Sequence, residues 1–205
     1  MSMKHLRHLI LTLFLIPCLL GLTQNKTAGY LTEAYRFEST NSQVFSAYAG
    51  QAENSGLPRV SLFFKAIAKS ASIHADNFQK VLSQMGVTVA PTTPAFTLKT
   101  PRENAEDAFS AVRTEAGIKY TEYLEQASAD GEMNAAKALR WAKETEQQSL
   151  QLYTNVITAI ANNSSSALPS LYWVCPKCGN LYDVPTPEKE CSFCYTEREK
   201  FIKIQ

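Results

Sequence analysis

Histidine is nearly missing from this sequence. Among 205 residues there are three, and two of them, His5 and His8, lie near the start, which leaves His74 alone in the body of the chain. Any mature form without its first residues has one imidazole, so a metal site built on two is excluded. Excess charge of one sign is missing too. Twenty Lys and Arg against nineteen Asp and Glu give a formal net charge of +1, which makes no electrostatic case for nucleic acid. No apolar run is long enough for a comfortable membrane span. The longest, Leu9 to Leu22, would rise only about 21 Å as a helix, against a hydrocarbon core of roughly 30 Å. There is no low-complexity tract, and no repeat beyond a loose similarity between two helical halves.

What is present begins with a leader. Lys4 and Arg7 precede the apolar run, and Gln24 to Gly29 is polar or small, the pattern of an export signal over 1–28. The expected location is therefore periplasmic or cell-envelope, and cytoplasmic if the signal is not genuine. Retention of the segment as a membrane anchor is a second reading. Lipidation of Cys18 is a third, although Pro17 is a poor fit to the small residue such a site wants. Asn25-Lys26-Thr27 has the form of a glycosylation sequon, with nothing else to indicate a glycosylating host.

The other four cysteines form the most informative stretch. Cys175-Pro176-Lys177-Cys178-Gly179 and Cys191-Ser192-Phe193-Cys194 are two Cys-x-x-Cys pairs with twelve residues between Cys178 and Cys191. Each pair makes a tight knuckle presenting two thiolates, and the loop lets the knuckles face each other around one tetrahedral metal. This suits the spacing better than disulfides or reactive dithiols. The metal is iron or zinc, since thiolates alone do not decide between them.

Between leader and cysteines run four segments of helical period: about Leu31 to Ala52, Pro58 to Met85, Pro101 to Ala129, and Met133 to Asn162. Asn54-Ser55-Gly56 and Asp130-Gly131 are short turns that make antiparallel neighbours of the first pair and of the last pair. Gly86 to Thr100, with Pro91 and Pro94, is a long crossover. Two helical hairpins joined in this way form a ferritin-like four-helix bundle, expected over 29–163. A polar hinge at Asn162 to Ser166 then leads to a small four-cysteine metal domain over 164–205. Tyr172, Trp173, Tyr182 and Phe193 are expected to pack around its metal.

Ionisable residues interrupt the apolar stripes. Glu38, His74, Lys119 and Glu146 each fall on the inward stripe near the middle of one helix. Buried without partners they cost several kcal/mol each, so they must meet one another, a metal or water.

These residues resemble the rubrerythrins, which join a ferritin-like bundle holding two irons to a C-terminal rubredoxin-like domain holding one iron in four cysteines. The resemblance covers about Gly29 to Gln205. Its specific part is Trp173-Val174-Cys175-Pro176-Lys177-Cys178-Gly179 with Cys191-Ser192-Phe193-Cys194. Phe37-Glu38-Ser39, Phe63-Phe64 through His74-Ala75, Lys119-Tyr120-Thr121-Glu122, and Ala142-Lys143 through Tyr153 resemble the four ligand-bearing helix segments.

The departures concern the bundle. Against the family's carboxylates and Glu-x-x-His pairs, this chain has Ala71 where a Glu is expected, Ala116 and Lys119 on the third helix, and Ser149 in place of the second histidine. Glu38, His74 and Glu146 survive, so no di-iron centre is expected. Glu115 and Glu122 lie about 100° off the stripe and are expected as solvated surface charges. Lys119 is expected as a buried cation that stands in for metal between Glu38 and Glu146; a single metal held by Glu38, His74 and Glu146 is the rival reading. In the cysteine domain, Ser192 stands where the family often has Pro, and Tyr195 rather than Gly follows Cys194.

The resulting expectation is one-electron transfer through an iron held by Cys175, Cys178, Cys191 and Cys194, with an unidentified redox partner. A peroxide-reducing enzyme with an altered bundle site and a structural zinc module are the alternatives. The resemblance also implies a homodimer. Membrane contact is expected only through the N-terminal segment.

Overall fold

The computed structural model describes residues 26–205, so most of the stretch read as a leader, with His5, His8 and Cys18, lies outside the described residues. Helix α1 spans Lys26–Asn54, α2 Pro58–Gln84, α3 Pro101–Thr114, α4 Tyr120–Ala129 and α5 Met133–Ala161. A π-helical turn, Glu115–Lys119, joins α3 to α4 as one continuous rod. Helix α1 thus begins within the last residues of the expected leader, where the Thr27 hydroxyl donates to Asp130 at 2.6 Å.

Local chemistry sets the helix starts. Pro58 and Pro101 open α2 and α3, where proline's missing N–H costs nothing. Thr100 and Glu103 form a reciprocal capping box. The crossover then runs along α1: Gln43 donates to the Thr92 carbonyl at 2.9 Å, Phe96 meets Tyr48 edge to face, and Gln51 donates to the Lys99 carbonyl.

The bundle interior has two apolar ends. One is built around Phe45, Phe63, Phe64, Val112 and Tyr153, the other around Leu31, Tyr35, Phe78, Tyr120 and Leu139. Helices α1 and α5 run from the second cluster to the first, and α2 and the α3–α4 rod run from the first to the second, as two antiparallel hairpins require. Between them lies a buried polar layer of Glu38, His74, Glu115 and Glu146.

After a short 3-10 turn at Ser165–Ala167 come β1 (Tyr172–Val174), β2 (Leu181–Tyr182) and β3 (Ile202–Ile204), which form an antiparallel sheet in the order β2-β1-β3. Trp173 pairs with Tyr182 on one side and with Lys203 on the other. The sheet packs on the bundle, and Tyr172 is the joint: it is buried in the upper core with its ring 6.1 Å from Phe63. This corrects the expectation that Tyr172 packs around the cysteines. Among the described residues no helix is long and apolar enough to cross a membrane.

Candidate metal centres

The two cysteine knuckles have the same backbone. Cys175 N–H donates to the Asn180 carbonyl and accepts, at its own carbonyl, the N–H of Gly179; Cys191 does the same with Thr196 and Tyr195. Both turns need a left-handed residue, and Gly179 (φ +81°) and Tyr195 (φ +57°) supply it. Tyr195 keeps the turn at a backbone cost of about 1–2 kcal/mol, with its side chain 76% exposed. Gly179 has no such freedom: a Cβ there would sit 2.5 Å from His74 Nε2.

All four sulfurs lie within 4.8 Å of one another, and Cys175–Cys194 and Cys178–Cys191 are 3.4 Å apart. That is far from a disulfide and close to the roughly 3.8 Å edge of a tetrahedron with metal–sulfur bonds of about 2.3 Å. The thiols are buried and share protons: hydrogen bonding to Cys175 drives the Cys178 thiol upward, while hydrogen bonds from Cys175 and Cys178 hold Cys191 far below an ordinary thiol. Thr196 lies with its hydroxyl 3.1 Å from Cys194 Sγ. Ser192, in the place of a proline, uses what proline lacks. Its N–H donates to the Tyr182 hydroxyl and its own hydroxyl accepts from Asn180, tying the knuckles together. Trp173, Tyr182 and Phe193 pack here as expected; Trp141 of α5 and Phe201 join them, and neither was singled out from sequence.

In the bundle, Glu38 of α1, His74 of α2 and Glu146 of α5 offer ligand atoms within 4.8 Å of one another. His74 Nε2 lies 3.1 Å from the Cys178 carbonyl, which can only accept, so Nε2 carries a proton. His74 Nδ1 then faces Glu38 Oε1 at 3.0 Å, and the Tyr120 hydroxyl donates to the same oxygen at 2.9 Å. A second proton or a cation must lie at Nδ1 for that approach to be favourable. Glu38 Oε2, Glu146 Oε2 and Thr145 Oγ1 are buried without partners. They accompany a cavity of about 20 Å³ lined by Glu38, His74, Thr145 and Glu146, enough for one water or ion. Burial, then the charge of Glu38, pushes the Glu146 carboxyl well above the usual 4.5. Buried carboxylates with orphaned oxygens around an ion-sized space fit one cation with nitrogen and oxygen ligands. They are too few for two. Ala71 brings no ligand, and Ser149 turns its hydroxyl back to the Glu146 carbonyl at 2.8 Å.

Lys119 is not in this layer. It is 47% exposed and pairs with Glu115 at 3.1 Å, while Glu115 is the buried member. The expected roles of these two residues are exchanged, and the cause is the π-helical turn. A π turn carries one more residue than an α turn, so the inward position after Ala116 falls on Tyr120 instead of Lys119. Burial raises the Glu115 carboxyl, and the Lys119 ammonium partly offsets this. Gly117, a weak helix former inside the segment, was the available signal. Glu122 is exposed as expected and accepts from the Tyr30 hydroxyl.

Helix α2 also carries a row that sequence reading missed. Ser70, His74 and Asn77, spaced along one helix face, bond the successive carbonyls of Gly179, Cys178 and Lys177 at 2.7, 3.1 and 2.9 Å. This row fixes the first knuckle over the polar layer.

The rubrerythrin family model matches residues 29–156. The chain belongs to the rubrerythrin family. Rubrerythrin-2 of Clostridium acetobutylicum is 28% identical over 176 residues, covering 85% of this chain and 95% of that protein. Rubrerythrin-1 of the same organism is 25% identical over 179 residues, with 85% and 92% covered. Among solved structures, nigerythrin in a mixed-valence state superposes with a TM-score of 0.78 at 19% identity, over 86% of each chain. A bacterioferritin of Rhodobacter capsulatus reaches 0.60 at 16%, over 67% of this chain and 86% of that one. The likeness to solved structures establishes the ferritin-like fold.

Proposed function

We propose that this rubrerythrin carries single electrons, with iron in the Cys175, Cys178, Cys191 and Cys194 set and one further cation in the Glu38, His74 and Glu146 set. The observation that supports the reading is the 3.1 Å contact between His74 Nε2 and the Cys178 carbonyl. It leaves one residue's backbone and one hydrogen bond between a thiolate of the first set and an imidazole of the second. Iron in four thiolates supplies a one-electron couple, tuned by hydrogen bonds to sulfur such as the one available from Thr196. Tyr120 holds Glu38 in place, and Ser70 and Asn77 hold the knuckle in place. Lys119, half exposed and paired with Glu115, supplies no buried cation to stand in for a metal between Glu38 and Glu146. Export through the 1–28 segment stays part of the proposal on its sequence pattern.

The test is metal content per chain with a visible spectrum before and after reduction, in the parent and in His74→Ala. The expected result is one iron with thiolate charge-transfer bands that bleach on reduction, plus one cation that is lost in the variant. One zinc and no colour would overturn electron transfer. Two irons in the bundle with peroxide consumption would replace this reading with a peroxide-reducing enzyme.

A further inference from the structure

Beside the four-cysteine centre runs a groove of about 240 Å³ lined by Lys80 of α2, Lys137 and Trp141 of α5, and Lys177 of the first knuckle. Both Lys137 and Lys177 lie over the Trp141 ring, at 5.6 and 5.8 Å from its centroid. No acidic residue lines the groove, and none of the three lysines forms an ion pair among the described residues. In a chain of net charge +1 this is a local concentration of cations with no internal counter-charge. The indole holds two of the ammoniums close together by cation–π attraction, and an anionic group laid against them would be attracted by all three lysines.

The position gives the groove its meaning. Trp141 lines it on one side and packs against the four-cysteine cluster on the other. The four cysteines are at most 7% exposed, so the site offers a donor almost no direct contact. A carrier docked on the lysines meets the one large aromatic side chain that reaches from groove to thiolates.

We infer that this groove docks an acidic one-electron carrier protein, which gives one electron to the four-thiolate iron. The carrier is oxidised by one electron, ferric iron becomes ferrous, and no bond or proton is exchanged. The inference rests on the electron-transfer reading above. Charge complementarity of this kind acts mainly on encounter, which is what a transient redox contact needs.

The probe is reduced plant-type ferredoxin, a strongly acidic one-electron carrier, mixed with the iron-loaded full chain while bleaching of the visible bands is followed. In the parent the second-order rate constant should fall about tenfold or more between about 0.01 M and 0.3 M salt. Lys80→Glu and Lys137→Glu together should slow it at least about tenfold at low salt and flatten the salt slope. Reduction by methyl viologen radical, a small cation, reports folding: it should proceed at least as fast in the double variant as in the parent. Equal ferredoxin rates in parent and variant, or a rate indifferent to salt, overturn the docking site. If the protein proves to hold zinc, calorimetric titration with oxidised ferredoxin separates the two failures. Salt-sensitive binding to parent alone keeps the dock and removes the electron, and no binding to either overturns the dock. Binding of ATP to the parent without any binding of ferredoxin would mark a small-anion site and overturn the protein partner.

Discussion

His74 stands between two carbonyl-to-carboxylate worlds: its Nε2 donates to the Cys178 carbonyl at 3.1 Å while its Nδ1 faces Glu38 at 3.0 Å. One imidazole therefore fixes the geometry of both metal sets. His74→Ala should empty the bundle set, leave Glu38 buried without its partner, and lower stability by about 3 kcal/mol or more. Metal in the cysteine set should remain. Elemental analysis with a denaturant titration checks both halves; loss of both metals together would show that the sets are not separable.

The two knuckles make opposite demands at equivalent positions. Gly179→Ala adds a Cβ 2.5 Å from His74 Nε2 on a left-handed backbone, so it should destabilise by about 2 kcal/mol or more and shift the His74 ring resonances. Tyr195→Gly relieves the same backbone beneath an exposed side chain, and should leave stability unchanged or raise it by up to about 1 kcal/mol. Thermal melts check both variants, and a Gly179→Ala protein as stable as the parent would overturn the close approach to His74.

With the bundle site empty and the cysteine site loaded, stability should fall as pH rises. Glu146 and Glu115 have folded-state values raised by burial, so the folded state holds protons that the unfolded state releases from about 4.5 upward. The destabilisation grows as pH climbs from 4.5 toward the raised values, opposite in sign to an ordinary ion-paired carboxylate. Glu146→Gln should flatten the profile, and a bound divalent cation should do the same in the parent. A parent with only its bundle site empty that gains stability over this interval would contradict the buried placement of both groups.

At the π-helical turn, Lys119→Ala should cost no more than about 1 kcal/mol, because the pair is half exposed on the lysine side, and it should not change metal content. Deleting Gly117 should restore a regular helix and keep the α3 and α4 faces aligned, since a π turn amounts to one inserted residue. Circular dichroism and a melt close to the parent's are expected; collapse of the fold would show that the extra residue is structurally required.

Much of this was readable from the chain. Apolar spacing and two short turns located the helices, because period and connection length act locally. The Cys-x-x-Cys pairs located the thiolates, because their spacing is itself the geometry. What stayed hidden depends on register and on contacts between distant segments. Glu115 and Lys119 exchange places through a single extra residue in one turn, invisible to a stripe drawn at constant pitch. Ser70 and Asn77 belong to no motif, and only the knuckle carbonyls lying against them give them a role. Ser192 and Tyr195 read as losses, yet one ties the knuckles together and the other tolerates its backbone.

Leu181, from the cysteine module's own β-strand, forms part of the wall around the bundle cavity. The module is thus a stopper as well as a neighbour. A module of this size depends on its metal for folding, so stripping the thiolates should also uncork the polar layer. Water, small oxidants and competing ions would then reach Glu38 and Glu146 by a route that the intact protein keeps shut.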